Sequence, residues 1–258
     1  MATTSHTLSE DEAQFAMPFE GRKTAIVTGA SSGIGLGVAS ALMARGYKIV
    51  ANSRNITRSR MLELNESLVL VDGDIGTEET AVKLVEVAVE EFGRIDLLVN
   101  NAGIFIPKPF TEFTKGDLES MISTNLLGFF LTTQSVIRQM RKQKSGHIVT
   151  MTTSLADQPI SGVPAALTNL TKGGLQSVTK ALAIEFAGEG IRVNAIAPGV
   201  VDTPMHAPGS HEFLKQLHPI QRLAAISEIV DALLYLDSAT FVTGEVLHVD
   251  GGAHAGKW

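Results

Sequence analysis

The chain has 258 residues, 44% hydrophobic and 19% charged, a balance that buries a core and excludes disorder. A formal charge of −6 leaves no basic stripe for nucleic acid, and the lack of cysteine excludes disulfides, thiolate nucleophiles and sulfur-bound metals. The seven histidines have no metal-ligand spacing, so no metal is expected, and no apolar run approaches the ~20 residues of a membrane span.

In chain order, residues 1–20 are expected to be a flexible polar extension, with Ser9 and Glu12 placed for a capping box. They lack the basic and apolar segments of a signal peptide, so a cytoplasmic location is expected. From there, short apolar runs alternate with amphipathic stretches. The runs "KTAIVTG", "YKIVANS", "SLVLVDGD", "IDLLVNNAG", "GHIVTMTT", "IRVNAIAPG" and "GEVLHVDGG" are rich in Val and Ile, end in turn formers and predict about seven buried strands. Helices are predicted near 34–45, 77–92, 114–143, 163–188 and 227–237, with Thr77 and Ser227 as N-caps. Strand–helix alternation predicts a parallel sheet covered on both faces. The expectation is therefore one α/β, Rossmann-like doubly wound domain over residues 21–258. Ligands of such sheets bind at the carboxyl ends of the strands.

The first strand runs into Thr28-Gly29-Ala30-Ser31-Ser32-Gly33-Ile34-Gly35. A glycine-rich strand-to-helix turn brings backbone N–H groups up to a pyrophosphate, which makes Gly29, Ser31, Ser32, Gly33, Ile34 and Gly35 candidate phosphate binders. The second strand ends in Asn52-Ser53-Arg54-Asn55, with no carboxylate to hold a ribose 2′-OH. Ser53 and Arg54 at that strand end suit a 2′-phosphate, so the expected cofactor is NADP(H).

The pieces "TGASSGIG", "DGDIG", "NNAG", "TNLLG", "IRVNAIAPGVVDTP" and "VTGEVLHVDGG", in this order, resemble the short-chain dehydrogenase/reductase family from about Lys23 to Gly252. The resemblance implies that Asp74 and Ile75 lie near the adenine and that Asn101, Ala102 and Gly103 line the cofactor. It also implies that Pro198, Gly199, Val200 and Thr203 flank the nicotinamide. Asp72 and Asp250 are read as a strand end and a turn. The family's machinery is an asparagine, a serine, and a tyrosine four residues before a lysine. Asn125 in "STNLLG" matches the asparagine, which holds a water in a proton relay. Lys172 in "LTKGG" matches the lysine, which binds the ribose hydroxyls. Thr152, Thr153 and Ser154 compete for the serine, and Ser154 is taken as the substrate-side donor.

The tyrosine position is Thr168, or Ala166 in an alternative alignment, and the only tyrosines are Tyr47 and Tyr235. A phenol has a pKa near ~10 and comes within reach of neutral pH beside a lysine, whereas threonine is far more basic and too short. The candidate catalytic residues are Asn125, Ser154 and Lys172, with Thr168 in the tyrosine's place. The proton donor is left among Asp157, His206, His211, Lys172 and a water held by Asn125 and Lys172. Loops 105–110, 155–164 and 205–223 offer Phe105, Ile106, Leu155, Ile160, Val163, Met205 and Phe213 for a mainly apolar pocket.

The expected function is NADP(H)-dependent hydride transfer to a small, largely apolar carbonyl, imine or activated alkene by a tyrosine-less site. The alternative is an inactive NADP-binding sensor or assembly protein. The helices near 114–143 and 163–188 and the C-terminal stretch resemble the family's assembly surfaces, so a homotetramer or a dimer is expected.

Overall fold

A computed structural model of the protein describes residues 22–63, 65–206 and 208–256, so the extension 1–20 and its capping box at Ser9 and Glu12 lie outside the described residues. Every predicted run holds a strand: β1 (Thr24–Thr28), β2 (Lys48–Ser53), β3 (Leu68–Asp72), β4 (Leu97–Asn100), β5 (Gly146–Met151), β6 (Ile191–Pro198) and β7 (Val246–Val249). They form one parallel seven-stranded sheet in the order β3-β2-β1-β4-β5-β6-β7. The order reverses beside β1, which makes the carboxyl ends of β1 and β4 the switch point of the sheet.

Alternation along the strands builds two cores. Ala25, Val27, Ile49 and Ala51 face α1 (Gly33–Ala44) on one side, together with the last long helix, Ile226–Ser238. Ile26, Val50 and Ile148 face the opposite side, packed with Leu84, Met140 and Phe186. Those three side chains come from three helices, Glu78–Phe92, Gly128–Gln143 and Ala166–Phe186. Burial on both faces explains why these strands read as continuous apolar runs.

Two short helices were not expected, α2 (Ile56–Ser59) and α7 (His211–Lys215). The long ones between and after them are α3 (Glu78–Phe92), α4 (Lys115–Met121), α5 (Gly128–Gln143), α6 (Ala166–Phe186) and α8 (Ile226–Ser238). The stretch 114–143 is not one regular helix. A π-helical segment, Ile122–Leu127, separates α4 from α5. Thr77 caps α3 by accepting the Thr80 N–H, as expected. Ser227 is no cap, because α8 begins at Ile226 and the Glu228 carboxylate reaches back to the Ala225 N–H at 2.8 Å. Helix α6 starts at Ala166, just beyond Pro164, rather than at 163. Asp72 and Asp250 are local fasteners as read. Asp72 holds the Thr57 N–H and hydroxyl, and Asp250 holds the Gly252 and His254 N–H groups.

Candidate active site at the carboxyl ends of the strands

A cleft of ≈ 1120 Å³ opens along the carboxyl ends of the strands. Its first half is built around β1. Gly29 has φ +66°, and a Cβ there would lie 2.9 Å from Ala102 Cα, so only glycine lets this turn press against the end of β4. Thr28 Oγ1 accepts the N–H groups of Asn101 and Ala102, both at 3.0 Å, and locks the two strand ends together. Ser31, Ser32, Gly33 and Ile34 line the cleft where α1 begins. The Ser32 side chain makes no capping bond, and the first turn of α1 has no acid, so its N–H groups are open to an anion. This cradle fits a pyrophosphate. Gly35 is placed differently from expectation. It is buried, and a Cβ there would collide with the Gly29 carbonyl and the Asn101 amide, so it packs behind the turn instead of lining the cleft.

At the end of β2, Ser53 and Arg54 line the cleft, and exposed Arg54 makes no ion pair among the described residues. Asn52 ties this strand end to β3 through the Val71 and Gly73 carbonyls. Asp74, Ile75, Asn101, Ala102, Gly103, Pro198, Gly199, Val200 and Thr203 also line the cleft.

The catalytic candidates meet in the middle. The π-helical segment turns Asn125 inward, where its amide is fixed on both sides. Asn125 Oδ1 accepts the Ile104 N–H at 2.9 Å, while Nδ2 donates to the Ile104 carbonyl and to Thr171 Oγ1 at 3.1 Å. Thr152 Oγ1 donates to the Ile196 carbonyl, and Thr153 Oγ1 accepts the Leu155 N–H. Ser154 is the cleft-lining hydroxyl of the three without a partner among the described residues. Lys172 lies one helical turn after Thr168 on α6, and both line the cleft, whereas Ala166 is exposed at the helix start. Thr168 therefore occupies the position one turn before the lysine. Its residue is 1% exposed, and its Oγ1 has no partner.

Among the described residues, Lys172 Nζ donates only to the Met151 and Thr152 carbonyls, each at 3.4 Å, and no carboxylate pairs with it. Burial pushes this ammonium down to about 8. Beside it lies a cavity of ≈ 10 Å³, room for the centre of one water, lined by Asn100, Asn125 and Thr150. Thr150 Oγ1 is buried there without a partner. No tyrosine lines the cleft: Tyr47 donates to Asp237 away from it, and Tyr235 is exposed on α8.

The far half of the cleft is apolar. Phe105, Leu155, Ile160, Val163, Met205 and Phe213 line it as expected, Leu214 and Leu217 join them, and Ile106 does not. Of the acid–base candidates, His206 lines the cleft, held below the usual histidine range by burial and then by the nearby His211. Asp157 and His211 do not. Asp157 Oδ2 is taken by Gln176 and His248, and His211 lies 3.7 Å from Asp202. The sequence reading missed His218, which is 3% exposed and lines the cleft beneath Gly199. No spacing signal exposes it, because its contact joins positions 200 and 218 through tertiary folding.

The family model described as enoyl-(acyl carrier protein) reductase matches residues 29–254. An acetoacetyl-CoA reductase of Acinetobacter sp. (strain RA3849) is 35% identical over 249 residues, covering 90% of this chain and 98% of that protein. Among solved structures, ElxO with NADP bound matches at TM-score 0.85 and 28% identity, over 91% of this chain and all of the other. A 3-ketoacyl-(acyl-carrier-protein) reductase from Brucella melitensis complexed with NADH matches at 0.84 and 32%, over 91% of this chain and 99% of the other.

Proposed function

The chain belongs to the short-chain dehydrogenase/reductase family of nicotinamide-dependent oxidoreductases, and from that premise we propose an NADPH-dependent reductase of a small, largely apolar carbonyl or imine that works without a phenol. The observation that carries this reading is Lys172, a buried ammonium with no counter-ion among the described residues, beside the orphaned hydroxyl of Thr168 in a cleft without tyrosine. Two of the relatives are by name reductases of acetoacetyl-CoA and of a 3-ketoacyl-(acyl-carrier-protein), substrates that carry a ketone, and the apolar half of this cleft suits a compact ketone, an imine or an activated alkene. Solved relatives hold NADP or NADH. Arg54, at a strand end without an acid, supports NADP here.

When bound, the reduced nicotinamide supplies a hydride to the substrate carbon. The N-terminus of α1 holds the pyrophosphate, Arg54 the 2′-phosphate and Lys172 the ribose hydroxyls, with Gly199, Val200 and Thr203 forming the wall on the nicotinamide side. Ser154 donates a hydrogen bond to the substrate oxygen or nitrogen. For a carbonyl, the oxygen that becomes an alkoxide takes a proton from a cleft water, and that water takes one from Lys172 Nζ. Neutral Lys172 then regains its proton from bulk water. An acid near pH 8 is well matched to this task at neutral pH. An iminium substrate arrives protonated and bypasses the relay. Exposed Leu127, Phe130, Leu170 and Ile184 support assembly of copies into a homotetramer or a dimer. No helix among the described residues is long and apolar enough to cross a membrane, which is compatible with a cytoplasmic enzyme.

The test is NADPH consumption, read as loss of its absorbance, across ketones, dicarbonyls, quinones, activated alkenes and cyclic imines between pH 6 and 10. The expected result is turnover of at least one class. Ketone reduction falls as pH rises through about 8, where Lys172 loses its proton, and imine reduction falls less. Bound NADPH with no turnover of any acceptor would replace the reductase with the sensor reading.

A further inference from the structure

The way β6 ends gives one residue outside this machinery a role. Gly199 N–H donates to the Val249 carbonyl at 3.0 Å, and the Val200 carbonyl accepts the Ala224 N–H at 3.0 Å. Both are ordinary backbone bonds. The Val200 N–H instead donates to a side chain, His218 Nε2, at 2.9 Å. The imidazole sits directly against the chain there. A Cβ on Gly199 would lie 2.6 Å from Nε2 and 2.9 Å from Asp250 Cα, so glycine at 199 is what lets the ring approach. We infer that His218 is a positioning residue that fastens the Gly199–Val200 wall of the cleft through an unprotonated Nε2, so that dinucleotide affinity falls when this ring takes a second proton.

The inference rests on the reading of the cleft as a nicotinamide dinucleotide site with Gly199 and Val200 in its wall. Its chemistry follows from the direction of one bond. A backbone N–H can only donate, so Nε2 must present a lone pair, and the ring proton sits on Nδ1. Protonation at Nε2 would set two N–H groups against each other and strand the Val200 donor. The ring is 3% exposed, so water cannot replace the lost partner without opening the wall.

The charges around the ring set the direction of the pH effect. Asp250, at the end of β7, is the carboxylate facing it. That carboxylate is committed to the N–H groups of Gly252 and His254 and to the His254 ring. From α7, the backbone carbonyls of Leu214 and Lys215 lie near the ring, but Nδ1 has no hydrogen-bond partner among the described residues, and the Lys215 ammonium is paired with Glu212. Burial outweighs the favourable pull of Asp250 and holds the ring below the usual histidine value of 6.5. His218 is therefore neutral at pH 7 and takes its second proton only below the usual histidine range. By linkage, a ligand that needs the wall in place binds the neutral form better and disfavours protonation.

The experiment measures the Kd of NADP+, which survives acid, by calorimetry from pH 7.5 to 5 for the wild type, His218→Gln and His218→Leu. The 2′-phosphate of the ligand also titrates in this range, so the readout is the ratio of wild-type to variant Kd at each pH. An amide oxygen can accept the Val200 N–H but cannot titrate, and leucine can do neither. At pH 7.5 the expected Kd for His218→Gln is within about threefold of wild type, and for His218→Leu about tenfold weaker, the cost of one unmet buried donor. Between pH 7.5 and 5 the wild type should weaken by about a further tenfold relative to His218→Gln. Parallel pH dependence of the wild type and His218→Gln, or wild-type affinity in His218→Leu at pH 7.5, would overturn the role. Absence of binding by all three proteins at pH 7.5 would overturn the dinucleotide site and this role with it. Turnover that fails while these ratios hold would count against the reductase alone.

Discussion

At the amino ends of the strands, Asp237 accepts a hydrogen bond from Tyr47, pairs with Lys23 at 3.3 Å and lies 3.6 Å from His147 Nδ1. Arg192 closes the same region by donating to the Leu236, Asp237, Ala239 and Val242 carbonyls at the end of α8. At the carboxyl ends, the buried ammonium of Lys172 has two carbonyl oxygens at 3.4 Å and no carboxylate among the described residues. One sheet thus buries charge in two ways. The closed end satisfies its ions from within the protein, and its reward is stability. The open end leaves an ammonium and the first N–H groups of α1 to be satisfied by what binds there.

The largest expected effect comes from breaking the closed end. Asp237→Leu leaves the Tyr47 hydroxyl and the Lys23 ammonium without their shared carboxylate. It should destabilise the fold by about 3–5 kcal/mol in urea melts. A loss below about 1 kcal/mol would mean that the network contributes little and that the contrast between the two ends is one of appearance. The same end makes stability acid-sensitive. Burial holds His147 down to about 4, so between pH 6.5 and 4 the unfolded chain binds a proton that the folded chain does not. Stability is then present above pH 6.5 and is lost as pH falls, with a slope approaching 1.4 kcal/mol per pH unit for this one group. Asp237, held below its ordinary range by His147 and Tyr47, adds to the loss at lower pH. His147→Asn should flatten the slope above pH 4, and an unchanged slope would remove His147 as its source.

A smaller effect is expected at the open end. Arg54→Glu places a carboxylate where β2 ends, which suits a ribose 2′-OH and repels a 2′-phosphate. NADPH binding should weaken about 10–100-fold while NADH stays within a few-fold, as read by quenching or enhancement of reduced-nicotinamide fluorescence. Equal losses for both cofactors would show that Arg54 does not discriminate between them.

What the residues disclosed and what they concealed follow the same division. The strands were legible because both faces are buried, as in "TAIVT", where all five residues are inside. The anion cradle was legible because Gly29, Gly33 and the serines between them are local to one turn. Gly35 was assigned to the right turn but to the wrong side of it, since the collision that demands glycine is with Asn101, far along the chain. The π-helical turn that aims Asn125 leaves no mark in periodicity. Asp157 and His211 looked available because nothing in the local sequence names the partners that take them, Gln176 and His248 for one and Asp202 for the other. His218 was invisible for the converse reason. Its one telling contact is with a backbone N–H eighteen positions earlier.

The smallest effect separates two threonines on the same helix. Thr171 Oγ1 donates to the Leu167 carbonyl at 3.0 Å and accepts from Asn125 Nδ2 at 3.1 Å. Thr179 does the same to the Leu175 carbonyl. The hydroxyl of Thr168, three residues before Thr171 and as deeply buried, has no partner among the described residues, because the carbonyls one turn before it belong to the non-helical stretch ahead of α6. Thr171→Val deletes its side-chain bonds and takes from the Asn125 amide one of its two acceptors, so it should cost about 1–2 kcal/mol. Thr168→Val removes a hydroxyl that the fold already leaves unmet, so its stability in the same urea melts should be unchanged or higher by up to about 1 kcal/mol. Equal stability losses at the two positions would mean that Thr168 has a partner in the folded chain, and the open end would then be no less satisfied than the closed one.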